Sequence, residues 1–315
     1  MTATQITEIA GFFDEELAPI VRRMADRPRA QDADDGDGRE VRAMVWEGLI
    51  GLDALGTPDT VRLAELLGSV LYQGPLLDTL TARELVPGDV LGQEPVALAV
   101  TDEPWRERDG AISARCSFVG FAAEVEHFLV SGGGPRPALV RAGHPSITMR
   151  RYEEAGRGEA YEVEFAGTPV AAWAGSATEW LAALAGARVR QAAYLVGLAQ
   201  AALDHAVEHA RTRRQFGQPI GRFQGVAFRL SELSMHIDAI RLLVRDPGAT
   251  AHAAACLAAA SDLARAVTTR TMQVNGAAGM RSDNDAQLYY RRAAFESVRL
   301  GTPHRLRRES WDGRR

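Results

Sequence analysis

The segment Arg211–Gln224, RTRRQFGQPIGRFQ, gathers several guanidinium groups, glutamine amides and phenylalanine rings within one short stretch. Guanidinium forks pair with phosphate and aromatic rings cover flat rings, so the set suits a phosphate-bearing aromatic ligand. A merely basic, solvent-facing loop is the competing reading. Gly217 and Pro219 break regular structure, which places Arg213, Gln215 and Phe216 at a helix end. A second group lies downstream in QVNGAAG, Gln273–Gly279. Gly276 and Gly279 permit close backbone approach to a ligand, and Gln273 offers an amide to a ribose or phosphate. Both glycines could instead only end a helix.

These residues must be positioned by the elements around them. Residues 1–92 read as mainly helical, with apolar residues at helical spacing in Ile6–Met24, Arg39–Leu49 and Thr57–Leu71. The acidic run Asp32–Gly38 between the first two lacks the ligand order of a calcium loop and reads as a solvated turn. Residues 93–175 change character. Val96–Val100, Ala111–Val119, Glu126–Gly132, Pro137–Gly143 and Glu159–Val170 are short alternating or apolar runs divided by Gly, Pro and Asp, as in a small antiparallel β domain. Residues 176–315 return to Ala- and Leu-rich helical sequence, in which Met272 and Met280 are expected in the core. The fold class is α+β, mostly α: an N-terminal helical domain, a shortened middle β domain and a C-terminal four-helix bundle.

Composition narrows the function. The 315 residues carry a net charge of −5, which argues against nucleic acid as the main partner. Every one of the 36 Lys and Arg residues is Arg. Cys116 and Cys256 are too few for a disulfide framework, and their spacing is no metal motif. His205 and His209 stand at i, i+4 without a third metal ligand nearby. Neither a leader nor a membrane-length apolar run is recognisable, so the expected compartment is the cytoplasm.

The order helical–β–helical resembles the acyl-CoA dehydrogenase family, and so do several motifs. Arg188, Gly197 and Ala201 precede Arg213-x-x-Phe216-Gly217 at the family's spacing. Gln273–Gly279 is similar to its Gln-x-x-Gly-Gly-x-Gly turn, with Ala277 in place of the second glycine. Tyr289–Thr302 resembles the segment leading into Glu-Gly-Thr, and Ala64–Leu76 the family's Glu-x-Leu-Gly stretch. The resemblance implies FAD as cofactor, with Arg213, Gln215, Phe216, Gln224, Gln273, Gly276 and Thr302 as flavin contacts. It also implies that the Arg-Phe loop meets the FAD held by a neighbouring subunit, an acyl-CoA substrate, and an electron-transfer flavoprotein as acceptor.

The chain departs from the family where the chemistry is done. Most relatives place the carboxylate base directly before the Gly-Thr pair, where this chain has Leu300; others place it before the arginine opening the bundle, where it has Ala187 beside Arg188. Neither accepts a proton. Glu296 is a candidate substitute, although a helix-surface glutamate paired with Arg292 or Arg299 is the expected reading. The Gly-Ser loop and hydroxyl-amide segment that face the flavin ring in relatives are missing after Thr101–Gly110, where Asp102 and Trp105 read as a turn. The pattern resembles the short subunits without the glutamate in actinobacterial α2β2 acyl-CoA dehydrogenases acting on steroid side-chain CoA thioesters. The expectation is a catalytic-base-free subunit completed by a paralogous partner. Two other readings stay open: a homo-oligomeric flavoenzyme with a relocated base, and a flavin-free scaffold or acyl-CoA-binding protein.

Overall fold

The computed structural model describes residues 37–312 apart from 58, 153–158 and 282. The expected helix Ile6–Met24 and most of the acidic loop Asp32–Gly38 lie outside the described residues. The expected α+β, mostly helical architecture is present, with helices, then strands, then a helical bundle. The described residues fall into two compact units, one of residues 39–56 and 73–187, the other of residues 57–72 and those from Arg188 on.

The first unit contains most of α1 (Asp37–Gly51), α3 (Leu76–Arg83), a short α4 (Gly88–Leu91) and eight strands. These are β1 (Val96–Thr101), β2 (Arg106–Arg108), β3 (Ala111–Gly120), β4 (His127–Gly132), β5 (Ala138–Arg141), β6 (Ile147–Arg151), β7 (Ala160–Pro169) and β8 (Ala172–Trp173). They form two four-stranded sheets of order β1-β4-β5-β8 and β2-β3-β7-β6. Alternate side chains of both sheets, among them Ala97, Cys116, Phe128, Val140, Val163 and Phe165, share one core. The antiparallel expectation needs one correction: β1 and β4 pair in parallel, Val96 opposite His127 through Thr101 opposite Gly132. The chain between them crosses to the other sheet as β2 and β3, a long connection that a parallel pair requires. β1 is an edge strand, and α3 supplies hydrogen bonds to its backbone. Val96 N–H donates to Thr79 Oγ1 at 3.0 Å and Leu98 N–H to Asp78 Oδ2 at 3.2 Å. β6, not foreseen, is a polar edge strand without apolar alternation and so gave no periodic signal.

The second unit packs α2 (Thr60–Ser69) with most of α5 (Ala177–Thr212), α6 (Gln224–Arg245), α7 (Ala253–Asn275), α8 (Ala286–Glu296) and α9 (Pro303–Asp312). Asp59 starts α2 by accepting the Arg62 N–H at 2.9 Å. α2 and α5 touch backbone to backbone. A Cβ on Gly68 would lie 1.9 Å from the Tyr194 carbonyl oxygen, and one on Gly197 would lie 1.9 Å from that of Glu65. Glu65 also receives Arg241 at 2.8 Å and Arg245 at 2.7 Å from α6, fixing α2 from a second side. Alanine-rich α7 is the central helix, burying Leu257, Ala260, Ala264 and Val267. Met280, expected in the core, is instead 75% exposed, because the 3₁₀ turn Gly276–Met280 that follows α7 carries it outward.

Candidate functional site

α5 ends at Thr212, whose hydroxyl donates back to the Glu208 carbonyl at 2.9 Å. The chain then forms a hairpin, with β9 (Arg214–Gln215) antiparallel to β10 (Gln218–Pro219). Its two central residues both take positive φ, 50° at Phe216 and 81° at Gly217, as a two-residue turn matched to strand twist requires. The left-handed conformation is strained at phenylalanine and free at glycine. The neck is closed by the Ile220 N–H donating to the Arg213 carbonyl at 2.8 Å. Phe216 projects from the tip, 93% exposed, with its ring edge-on to Phe223 at 6.1 Å between centroids. Arg213, Arg214, Gln215, Arg222 and Gln224 are exposed around it. The hairpin therefore offers cationic and amide donors beside a bare aromatic face.

Gln273 is exposed at the C-terminal end of α7, where its Oε1 accepts from Arg229 of α6 at 3.2 Å. Gly276 caps α7 with φ 60° and open space at its missing Cβ, so helix termination accounts for its conformation and leaves its backbone approachable. Gly279 is buried instead. A Cβ there would crowd Asn275 at 2.9 Å. Thr302 lies on the turn between α8 and α9, where its carbonyl accepts the Leu306 N–H at 2.9 Å, with Pro303 opening the helix.

The two positions where a base was sought are both closed. Ala187 is buried within α5. Leu300 takes φ 58° beside Gly301 at 131°, and its carbonyl accepts Arg188 Nε at 3.3 Å. The rest of the Arg188 fork grips Glu309 of α9 with Nη1–Oε1 2.5 Å and Nη2–Oε2 3.0 Å. The Arg188 hydrogen bond is the main reason the Glu309 carboxyl is held below the ordinary carboxylate range, with burial opposing it. Because the folded value is depressed, the pair adds stability above the unfolded carboxylate pKa and loses it as pH falls through the folded value. Glu309→Gln should lower the urea midpoint at pH 7, and the gap from the wild type should narrow as pH falls below the unfolded carboxylate pKa of about 4.3. A gap that stays constant to pH 3 would contradict this assignment.

Glu296 corrects the surface reading. It pairs with Arg292 (3.5 Å) and Arg299 (3.5 Å), as the spacing implied, but its side chain is only 3% exposed. Gln191 of α5 donates Nε2 to Glu296 Oε2 at 2.9 Å and to its carbonyl at 3.0 Å. The helix face carrying Arg292 and Glu296 is turned inward, against α5. A carboxylate shared by two guanidiniums and an amide is committed to structure.

In the other unit, Trp105 is buried and lies nearly parallel to Trp173, 6.5 Å between centroids at 9°, with the Arg136 guanidinium 4.6 Å over Trp173. Gly134 fits only because it lacks a Cβ, which would lie 1.9 Å from the Trp105 ring. Trp105 is thus a core wedge leading into β2, which corrects the turn expected there, while Asp102 does lie in a bend. The partners Trp173 and Arg136 carried no signal in the sequence, since neither lies in a recognisable motif. Among the described residues no group of three His, Cys, Asp or Glu could hold a metal ion.

Comparison with known proteins adds to this geometry. Residues 179–309 match the family described as acyl-CoA dehydrogenase, C-terminal domain. The chain is 37% identical over 131 residues to the probable acyl-CoA dehydrogenase FadE25 of Mycobacterium tuberculosis, a match covering 39% of this chain and 34% of that protein. It is 35% identical over 126 residues to the acyl-CoA dehydrogenase IpdE2 of Mycolicibacterium smegmatis, covering 39% and 40%. The chain therefore spans well under half the length of these relatives. Across nearly its whole length it is similar to a chain of the Tcur3481–Tcur3483 steroid ACAD, with a TM-score of 0.81, 22% identity and coverage of 98% and 97%. A chain of the ChsE4–ChsE5 complex from Mycobacterium tuberculosis follows at 0.79 and 21%, covering 95% and 96%. At such identities the likeness establishes the fold, which is that of the acyl-CoA dehydrogenases.

Proposed function

We propose that this chain is a subunit of a flavin-dependent acyl-CoA dehydrogenase that desaturates an acyl-CoA thioester at its α,β bond, and that a paralogous partner supplies the catalytic base. The observation that carries the reading is a contrast between two sets of residues in the chain. The hairpin Arg213–Gln224 still presents outward donors and an aromatic ring, while Leu300 and Ala187 offer no proton acceptor. Losing a general base typically lowers rate by about two to four orders of magnitude. A subunit that keeps ligand-facing groups without that base fits a divided site. The division into residues 1–92, 93–175 and 176–315 belongs to the same proposal.

FAD fits the donor set. Arg213 would neutralise phosphate charge, Gln215, Gln224 and Gln273 would offer amides, Phe216 would cover a ring, Gly276 would leave backbone open beside it, and Thr302 would offer a hydroxyl. When bound, FAD supplies the hydride acceptor. The chain's own residues bind and orient, and the exposure of Phe216 directs that binding away from its own core. The steroid side-chain CoA reading draws support from the neighbour named as a steroid ACAD, and the paralogous partner from the neighbour named as the ChsE4–ChsE5 complex. An electron-transfer flavoprotein as acceptor is carried by the family resemblance, with support from the similar structure named for the electron transferring flavoprotein of Acidaminococcus fermentans. Among the described residues no helix is long and apolar enough to cross a membrane.

The test is to purify the chain alone and co-expressed with a paralogous chain that carries the glutamate before its Gly-Thr pair, then measure the FAD-to-chain ratio and turnover. Little flavin and no turnover alone, with both restored in the complex, is the expected result. A yellow homo-oligomer with full turnover would overturn it, and an apo complex under all conditions would favour a flavin-free scaffold. Within the complex, Arg213→Ala with Phe216→Ala should lower flavin retention at least tenfold while leaving the melting temperature of the isolated chain within a degree or so. Both side chains are exposed, so their loss removes little folded-state packing.

A further inference from the structure

The last turns of α5 carry His205, His209 and Arg213 on one face. Arg213 lies just past Thr212, but its N–H still donates to the His209 carbonyl at 2.9 Å, so the helical stacking of side chains continues through it. Successive members of the row are about 6 Å apart along the axis. His205 is half-buried against α8, its Nε2 3.2 Å from Asn284 Oδ1 and its ring centroid 6.0 Å from that of Tyr289. Asn284 Oδ1 also accepts the Ala286 N–H at 2.9 Å, so His205 Nε2 is a donor and that imidazole is committed to holding the start of α8. At the other end Arg213 is exposed at the neck of the hairpin. His209 lies between them, half-buried, and its imidazole makes no hydrogen bond or ion pair with any described residue.

The surroundings of His209 are cationic. Burial holds its imidazole below the ordinary histidine range, and His205 and Arg213 push it the same way. Glu208 and Arg211 project from other sides of α5. The 3₁₀ turn Ile220–Arg222 packs against this end of the helix, where a Cβ on Gly221 would lie 3.1 Å from the Ala210 carbonyl oxygen, and it brings Arg222 without a carboxylate. On α8, Tyr289 is pushed up to about 12 by burial first and then by Asp285 and Asp204, and Asp283 in the loop before it is held by Arg281 at 2.7 Å. A neutral imidazole set one turn from an arginine becomes cationic when an anion settles beside both. We propose that His209 is a second phosphate-facing residue of the hairpin site, taking up a proton when the pyrophosphate of an adenine dinucleotide such as FAD settles beside Arg213. The inference rests on the flavin reading above and adds to it a residue and a proton. Because the bound anion favours the charged imidazole, affinity rises as pH falls through the range where His209 titrates, by at most about tenfold per pH unit for one linked proton.

ADP-ribose is the probe, because its pyrophosphate diester keeps the same charge between pH 6 and pH 8 and leaves the pH dependence to the protein. With the histidines labelled at Cε1 and His209 assigned through His209→Gln, NMR titration of the isolated chain should show the His209 midpoint raised by at least about half a pH unit when ADP-ribose is bound. The dissociation constant should fall at least about threefold from pH 8 to pH 6. His209→Gln should remove that dependence, binding at least about threefold more weakly than the wild type at pH 6. His209→Arg, whose charge does not titrate in this range, should bind tightly and equally at both. A midpoint that ignores the ligand, or a pH dependence that survives His209→Gln, would overturn the proposal.

The co-expressed complex separates this inference from the one it rests on. There the readout is FAD release against pH, with the same variants placed in this chain. Flavin held as tightly at pH 8 as at pH 6, or released identically with and without His209→Gln, sinks the role of His209 and leaves the subunit reading standing. A complex that holds no flavin, together with an isolated chain that binds no ADP-ribose, removes the site itself, and the subunit reading fails with it.

Discussion

Glu296→Gln is expected to destabilise the chain by about 3–5 kcal/mol, the usual consequence of stripping one partner from a buried ion cluster. The substitution keeps volume and leaves the backbone carbonyl of residue 296 as an acceptor for Gln191, so the charge is what is removed. Arg292 and Arg299, with side chains only 3% and 9% exposed, would then share no carboxylate. Thermal unfolding should show a melting temperature lower by roughly 10 °C, on the scaling of a few degrees per kcal/mol for chains of this size. Turnover of the assembled enzyme, measured well below that temperature, should be unchanged. A variant as stable as the wild type but without turnover would instead make Glu296 the relocated base, and the burial argument would fail.

Gly197→Ala is the second large effect. Alanine is ordinarily the better helix residue by about 1 kcal/mol, so helix propensity alone predicts stabilisation. Here the added methyl would meet the Glu65 carbonyl oxygen at 1.9 Å and the Ser69 nitrogen at 3.0 Å, backbone atoms that cannot rotate away. α2 would have to move off α5 by more than about 1 Å, and overpacking of this kind costs roughly 1–3 kcal/mol or more. The displacement would also strain the hydrogen bond from Tyr194 Oη to the Tyr72 carbonyl at 2.8 Å. We expect a net loss of about 3 kcal/mol, read as a fall in the urea midpoint. Gly225→Ala in α6, where nothing lies within 4 Å of the added carbon, serves as the control and should hold or raise stability. Equal midpoints for the two variants would show that the α2–α5 contact is looser than described.

Much of the fold was legible because its signals are local. Helical spacing located α1, α2 and the long helices of the bundle, and the breakers Gly217 and Pro219 marked the turn that became a hairpin. Five of the strands lay in runs of short apolar alternation. β2, β6 and β8 did not, because an exposed edge strand or a two-residue strand leaves no period to read. The parallel pairing of β1 and β4 was equally hidden, since strand direction depends on where the intervening chain returns. For the candidate site, the residue types at positions 187 and 300 already told that no carboxylate stands there. The roles of Gly276 and Thr302 in ending one helix and opening another emerged only with the backbone.

By itself the sequence determined what each segment can form and which chemical groups it owns: helices flanking a β insert, a cationic aromatic loop, and no base where one was sought. The tertiary structure decided which faces meet. An Arg292–Glu296 pair has the same spacing whether it faces water or the core, and only the packing of α8 against α5 buried it. Gly68 and Gly197 were visible as separate motif residues, and only the crossing of α2 and α5 made each the reason for the other. The apolar residues of α6 likewise divided into a covered face and an open one, because periodicity fixes the angle of a side chain about its helix and says nothing of the neighbour on that side.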